Sequence, residues 1–236
     1  MNIWAVGRNY SDHAKEMGSA VPSKPMIFLK AGSTVIHDES VPLWRGSQDI
    51  HHEIEIALRF SAGGQSFSAG GQSFGGLGQR VSGLGQSGGG FVADDPNPSA
   101  HGYADLKFDA AALVLDLTAR DLQAKLKADG HPWTLAKSFI ASCPMGPIVE
   151  IANEVPHFEF EFSVNGAVRQ TGKTEDMVFG FEQLRRYCLE CFPVRPGDWL
   201  LTGTPSGVGR LVPGDKGQAW MRSSLGHESQ MSWSFR

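Results

Sequence analysis

The segment His51-His52-Glu53-Ile54-Glu55-Ile56-Ala57-Leu58 carries the residues with the clearest chemical potential. With a strand's side-chain period of two, Ile54, Ile56 and Leu58 share one face and His51, Glu53 and Glu55 share the other. Two carboxylates on one face repel, and a divalent cation relieves that repulsion. An amphipathic strand with its polar side in water accounts for the segment as well. Asp116 adds a third carboxylate within Leu113-Val114-Leu115-Asp116-Leu117. If buried there it needs a partner, which a lysine, an arginine or a metal ion could supply; a place at a strand end needs none. Together Glu53, Glu55 and Asp116 would form an all-oxygen set suited to Mg²⁺ or Mn²⁺, leaving coordination positions for water and substrate.

Several elements must position these groups. Residues 50–60 alternate and read as a strand, and 111–118 read as a mostly apolar one. Thr118 is expected to cap a helix running to Gly130, with Asp121 at its third position. Residues 9–17 suit a short helix stopped by Gly18, which places His13 and Glu16 at i and i+3 on one face. As a bare pair these two are ordinarily a solvated helix face. Residues 158–164 alternate, turn at Asn165-Gly166 and return through 167–170, a hairpin signal. Residues 181–192 suit a third helix, while Pro-Gly-Asp at 196–198 and 213–215 marks turns around late strands. The pattern predicts one α+β domain, mainly β, with mixed but mostly antiparallel strands and short helices.

The chain has 236 residues, enough to bury a substantial core. Its 21 basic and 25 acidic side chains leave a net charge of −4, so no polyanion-binding surface is implied and nucleic acid is not an expected partner. No apolar run approaches the ~18 residues that cross a bilayer, and residues 1–20 lack a secretory pattern. Three cysteines cannot build a disulfide framework, which fits a reducing cytoplasm without membrane attachment. Cys188-Leu189-Glu190-Cys191 lies in the third helix and reads as core cysteines rather than a zinc site.

Glycine is the unusual count: 29 in all, 12 of them within residues 61–90. There SAGGQSF occurs twice in succession, and Gln65, Gln72, Gln79 and Gln86 recur every seven residues. Glycine disfavours a coiled coil at that period, and an odd period gives a strand no single buried stripe. Residues 61–102 therefore read as a flexible insertion within the domain; its length would also permit an active-site lid. Gly83, Gly85 and Gly88 match a dinucleotide fingerprint by spacing alone, but no clear strand precedes them and DDPNP at 94–98 prevents a following helix.

Five motifs occur together in order: GRNYSDHAKEM at 7–17, HHEIEIAL at 51–58, LDLTARDLQ at 115–123, PWTLAKSF at 132–139 and LTGTPSGVG at 201–209. The chain resembles the fumarylacetoacetate hydrolase family, and within it the short acylpyruvase and oxaloacetate decarboxylase or tautomerase type. The resemblance implies that family's mixed β-roll with short helices over residues 1–236, as one catalytic domain. It implies a metal triad of Glu53, Glu55 and Asp116 holding Mg²⁺ or Mn²⁺. His13 would be the general base on water, oriented by Glu16, and Lys137 would contact the substrate's carboxylate or enolate oxygen. Arg120, Gln123 and Thr204 match substrate-contacting positions. The implied substrate is a small 2-oxo acid, processed by C–C hydrolysis or decarboxylation through an enolate, with isomerisation or tautomerisation at the same site as the alternative. A binding-only or inactive variant, produced by the repeat insertion, is a further alternative. A homodimer is implied too. Two stretches depart from the family pattern: the insertion directly after the strand bearing Glu53 and Glu55, and residues 220–236, which differ from its closing strands. Loop closure costs only about 0.6 kcal/mol per doubling of length, so the core can tolerate the insertion.

Overall fold

The computed structural model describes residues 1–16, 18, 20–62, 105–152 and 154–236. Of the repeat insertion only residues 61 and 62 fall among these, so the readings of 63–102 lie outside the described residues. A seven-stranded sheet forms the centre. Its strands, in spatial order, are β2 (Met26–Ala31), β1 (Asn2–Gly7), β12 (Trp199–Leu201), β6 (Ile54–Ser61), β7 (Lys107–Leu115), β9 (Cys143–Glu150) and β3 (Val35–Ile36). Pairs β1–β12 and β3–β9 are parallel and the other neighbours antiparallel. A five-stranded sheet follows the order β11 (Ala167–Lys173), β10 (Phe158–Val164), β14 (Lys216–Ser223), β15 (Glu228–Phe235) and β4 (Ser40–Val41). A small third sheet joins β13 (Gly209–Arg210), β5 (Ile50–His52) and β8 (Thr118–Ala119). Short helices α1 (Ser11–Glu16), α2 (Arg120–Ala128), α3 (Thr134–Lys137) and α4 (Phe181–Cys191) complete the described elements. The large sheet curls into a half-barrel and the fold is α+β, mainly β, as the sequence predicts.

The main core lies between the two larger sheets. Strand β10 turns Phe158, Phe160, Phe162 and Val164 inward, and these join Ile54, Ile56 and Leu58 of β6, Leu113 of β7, and Trp233 and Phe235 of β15. Each such side chain contributes about 1.5–3 kcal/mol on burial. The hairpin from β10 to β11 turns at Asn165 (φ 53°) and Gly166 (φ 79°), the left-handed pair that suits a tight two-residue turn.

Four local expectations change. The polar face of residues 51–58 is not in water: Glu53 and Glu55 are buried, and Ala57 packs with Ile3, Ala5, Ala112, Val114 and Leu201 in a second core. That segment also breaks at Glu53, between β5 and β6, and His51 turns to Asp49 at 3.0 Å. Thr118 does not cap α2; it belongs to β8, where its hydroxyl donates to the Asp116 carbonyl at 3.0 Å. The helix starts two residues later, and Asp121, at its second position, accepts the Leu122 N–H at 2.8 Å and the Ser47 hydroxyl at 2.6 Å. Residues 220–236 close the fold after all, as the end of β14 and the whole of β15, anchored by buried Trp233 and Phe235. Of the cysteine pair on α4 only Cys188 is buried; Cys191 is exposed. Among the described residues no helix is long and apolar enough to cross a membrane.

Candidate active site

Strand pairing brings the three carboxylates together. Ile54 lies opposite Leu115 and Glu55 opposite Val114, so the Asp116 N–H donates to the Glu53 carbonyl at 2.8 Å. One carboxylate oxygen from each of Glu53, Glu55 and Asp116 lies within 4.8 Å of the others, and all three side chains are buried. Two unit charges that close repel by about 3–4 kcal/mol at an effective dielectric of 20. Burial, followed by the charges of Asp116 and Glu53, holds the Glu55 carboxyl well above the ordinary carboxylate range. A hard cation set among these oxygens would relieve that repulsion, so the all-carboxylate donor set fits Mg²⁺ or Mn²⁺.

Cations surround the cluster. Lys137, at the end of α3, reaches Glu53 at 2.7 Å and Asp116 at 2.6 Å with its Nζ. Lys30 of β2, fully buried, donates to the other Asp116 oxygen at 2.7 Å and also bonds the Lys137 carbonyl. Arg120, opening α2, pairs with the other Glu53 oxygen and donates to Gln123 Oε1 at 2.6 Å. Burial works against the Glu53 anion, but Lys137 and Arg120 outweigh it and bring its carboxyl below the ordinary range. For Lys137 burial likewise opposes the charge, and Asp116 and Glu53 overcome it, so the ammonium stays charged. It is a fixed cation and not a proton acceptor.

The loop after β12 holds the other side of the cluster. Thr202 and Thr204 donate their hydroxyls to the carbonyls of Ile56 and Ile54, each at 2.8 Å, which lays the loop along β6. Between them Gly203 donates its N–H to Glu55 at 2.6 Å. Gly203 has φ 97°, and a Cβ there would stand 2.6 Å from that of Asn9. Gly203→Ala is therefore expected to cost about 2–4 kcal/mol of stability, measured by denaturant unfolding, from backbone strain and overpacking together.

Helix α1 presents His13, whose Nδ1 lies 3.2 Å from Glu16 Oε2; both Glu16 oxygens also accept the Gly207 N–H at 3.2 Å. His13, Glu53, Arg120, Gln123 and Lys137 line one pocket of about 140 Å³, with Arg8, Met26, Phe28 and Trp133 also in its wall. Glu16, Glu55, Asp116 and Thr204 do not line it. The Thr204 hydroxyl is engaged twice, donating to Ile54 and accepting from Gln170 Nε2 at 2.8 Å.

Sequence reasoning passed over Lys30, Arg8 and Gln170. Gln170 links Thr204, the Pro205 carbonyl and His52 Nδ1, and burial lowers the His52 pKa to about 4. Lys30, a lysine inside the apolar run Met26–Ala31, is a signal that could have been read; a buried lysine needs an anionic partner.

With this geometry in place, comparison with known proteins decides the family. The fumarylacetoacetate (FAA) hydrolase C-terminal model matches residues 2–71 and 109–229. The chain belongs to the fumarylacetoacetate hydrolase family. It is 37% identical over 222 residues to the mitochondrial oxaloacetate tautomerase of Rattus norvegicus, covering 92% of this chain and 86% of the relative. It is 36% identical over 225 residues to an uncharacterized protein of Pyrococcus abyssi, covering 93% and 84%. Among solved structures, fumarylpyruvate hydrolase from Pseudomonas aeruginosa in complex with Mn²⁺ and pyruvate superposes with a TM-score of 0.73 at 24% identity, covering 100% of this chain and 90% of that one, a likeness of fold. Members of the family act on small molecules as hydrolases, isomerases and tautomerases.

Proposed function

We propose that the chain is a divalent-metal-dependent enzyme that forms the enolate of a small 2-oxo acid, with keto–enol exchange of an oxaloacetate-like diacid as its leading reaction. The observation that carries this reading is Lys137 Nζ, held between Glu53 and Asp116 at the wall of a pocket that His13 shares. Glu53, Glu55 and Asp116 would hold Mg²⁺ or Mn²⁺. When bound, that ion supplies a Lewis acid that favours negative charge on the substrate's oxygens. Lys30, Lys137 and Arg120 equal the three carboxylates in number, though they pair with Glu53 and Asp116 and not with Glu55, so a divalent ion leaves the set net positive and an anionic substrate offsets it.

The remaining chemistry belongs to the chain. The Glu16 bond to Nδ1 leaves His13 Nε2 as the base, and Glu16 is itself fixed by Gly207. His13 takes the proton from C3 and the C–H electron pair becomes the C2=C3 bond. Charge gathers on the 2-oxo oxygen, where Lys137 and Arg120 oppose it. Returning the proton to oxygen or to carbon completes the exchange. The relatives named as oxaloacetate tautomerases support this order of preference. The His13–Glu16 pair favours a second reading, because the same base can activate water for C–C hydrolysis of an acylpyruvate. Decarboxylation of oxaloacetate uses the electron sink without the base.

The test is to incubate the protein and Mg²⁺ with oxaloacetate and with acetylpyruvate, with and without a chelator, following enol absorbance and pyruvate. Chelator-sensitive acceleration of enol decay supports the leading reading, and pyruvate from acetylpyruvate supports the second. No chelator-sensitive change with either substrate contradicts both. In this reading residues 1–236 are one catalytic domain, and the insertion at 61–102, apart from Ser61 at the end of β6, takes no part in catalysis. Deleting residues 61–90 is then expected to leave turnover within about twofold, since closure cost varies slowly with length. Activity that appears only after the deletion would mean that the repeat disrupts the site.

A further inference from the structure

Arg8 stands apart from the other cations of the pocket. Arg120 and Lys137 are each tied to buried carboxylates, whereas the Arg8 side chain, half-buried in the same wall, has no hydrogen-bond or ion-pair partner among the described residues. Lys127 also borders the pocket, but from the exposed last turn of α2, where water solvates it.

The backbone at Arg8 is unusual too. Its φ is 60°, a left-handed conformation that a long side chain adopts rarely and at a cost. The next residue explains how it persists. Asn9 is fully buried, and its Nδ2 donates to the carbonyls of Phe179 at 3.0 Å and Thr202 at 2.8 Å. Its Oδ1 accepts the Phe179 N–H at 2.8 Å, and its carbonyl accepts the Val178 N–H at 2.8 Å. These four bonds clamp the chain directly after β1, so the turn at Arg8 is imposed by its surroundings. Strain maintained by its surroundings in this way clusters at ligand clamps and active sites.

We infer that Arg8 is a specificity-determining residue that receives a second carboxylate, at the end of the substrate away from the 2-oxo group. This rests on the 2-oxo acid reading of the site and assigns a residue to its preference for a diacid over an acylpyruvate. A guanidinium fork matches a carboxylate with two parallel N–H bonds, which an ammonium cannot reproduce.

The test compares two ligands that undergo neither C–C hydrolysis nor decarboxylation and differ only at that end, 2-oxoglutarate and 2-oxopentanoate, bound to the full chain with Mg²⁺ and followed by calorimetry. Wild type is expected to prefer the diacid. Arg8→Asn, whose side chain tolerates the left-handed backbone, is expected to melt at or above the wild-type Tm and to bind 2-oxoglutarate about 10–100-fold more weakly. Its affinity for 2-oxopentanoate should stay within about twofold, and Arg8→Lys should recover only part of the preference. Equal affinity of wild type for the two ligands, or an equal loss for both in Arg8→Asn, would overturn the role of Arg8 alone. If wild type binds neither ligand, the 2-oxo acid reading falls and the inference falls with it.

Discussion

Replacing Asp116 with alanine is expected to lower metal-dependent turnover by about 10³-fold or more, the several kcal/mol that a Lewis acid contributes. Asp116 would supply one of three ligand oxygens, and it also neutralises two buried lysines, Lys30 at 2.7 Å and Lys137 at 2.6 Å. Alanine leaves buried Lys30 without its carboxylate and Lys137 with Glu53 alone, and breaking a buried pair in this way costs about 3–5 kcal/mol of stability. Loss of activity could then reflect loss of fold, so Asp116→Asn is the paired variant: it keeps the shape and removes the charge. The readout is the rise in Tm that Mg²⁺ produces by binding the folded state. Wild type should show that rise; Asp116→Asn, still folded, should show little of it and turn over as poorly as Asp116→Ala. Full activity in either variant would remove Asp116 from the site.

His13→Ala is expected to divide the possible reactions. Keto–enol exchange and C–C hydrolysis both need a base at Nε2, and each should fall by about 10²–10⁴-fold. Decarboxylation of oxaloacetate needs the cationic sink and should stay within about tenfold. Enol absorbance and pyruvate release followed in one sample read the two outcomes side by side. Glu16→Gln should act in the same direction but more weakly, because the Gly207 N–H still holds the side chain while the anion behind the imidazole is gone. Parallel loss of all three activities in His13→Ala would assign His13 to binding rather than proton transfer.

Much of this arrangement is legible in the chain because it depends on local rules. The period of two in β6 and β10, the Asn165-Gly166 turn and the i, i+3 spacing of His13 and Glu16 are short-range features, and the structure realises each. The carboxylates were legible as a set through the family resemblance, and antiparallel register brings them together. What escaped was long-range. Lys30 meets Asp116 across 86 positions, and Gln170 meets His52 across 118, and no spacing rule connects such pairs. The strand through Glu53 and Glu55 reads as half-solvated because alternation cannot reveal a second layer; only the packing of Ala57 against Ala5 and Ala112 shows that both sides are covered. The capping error at Thr118 has a local cause. A short strand competes for the same residues, and pairing of Ile50 with Ala119 holds them extended.

The central claim, that Glu53, Glu55 and Asp116 form one divalent-metal site, is tested most directly by titrating the full chain with Mn²⁺ and measuring free ion by electron paramagnetic resonance. The prediction is one Mn²⁺ bound per chain, displaced by Mg²⁺ and lost in Glu55→Gln, whose fold is checked by circular dichroism. No Mn²⁺ bound by the wild-type chain, or undiminished binding in folded Glu55→Gln, would contradict it.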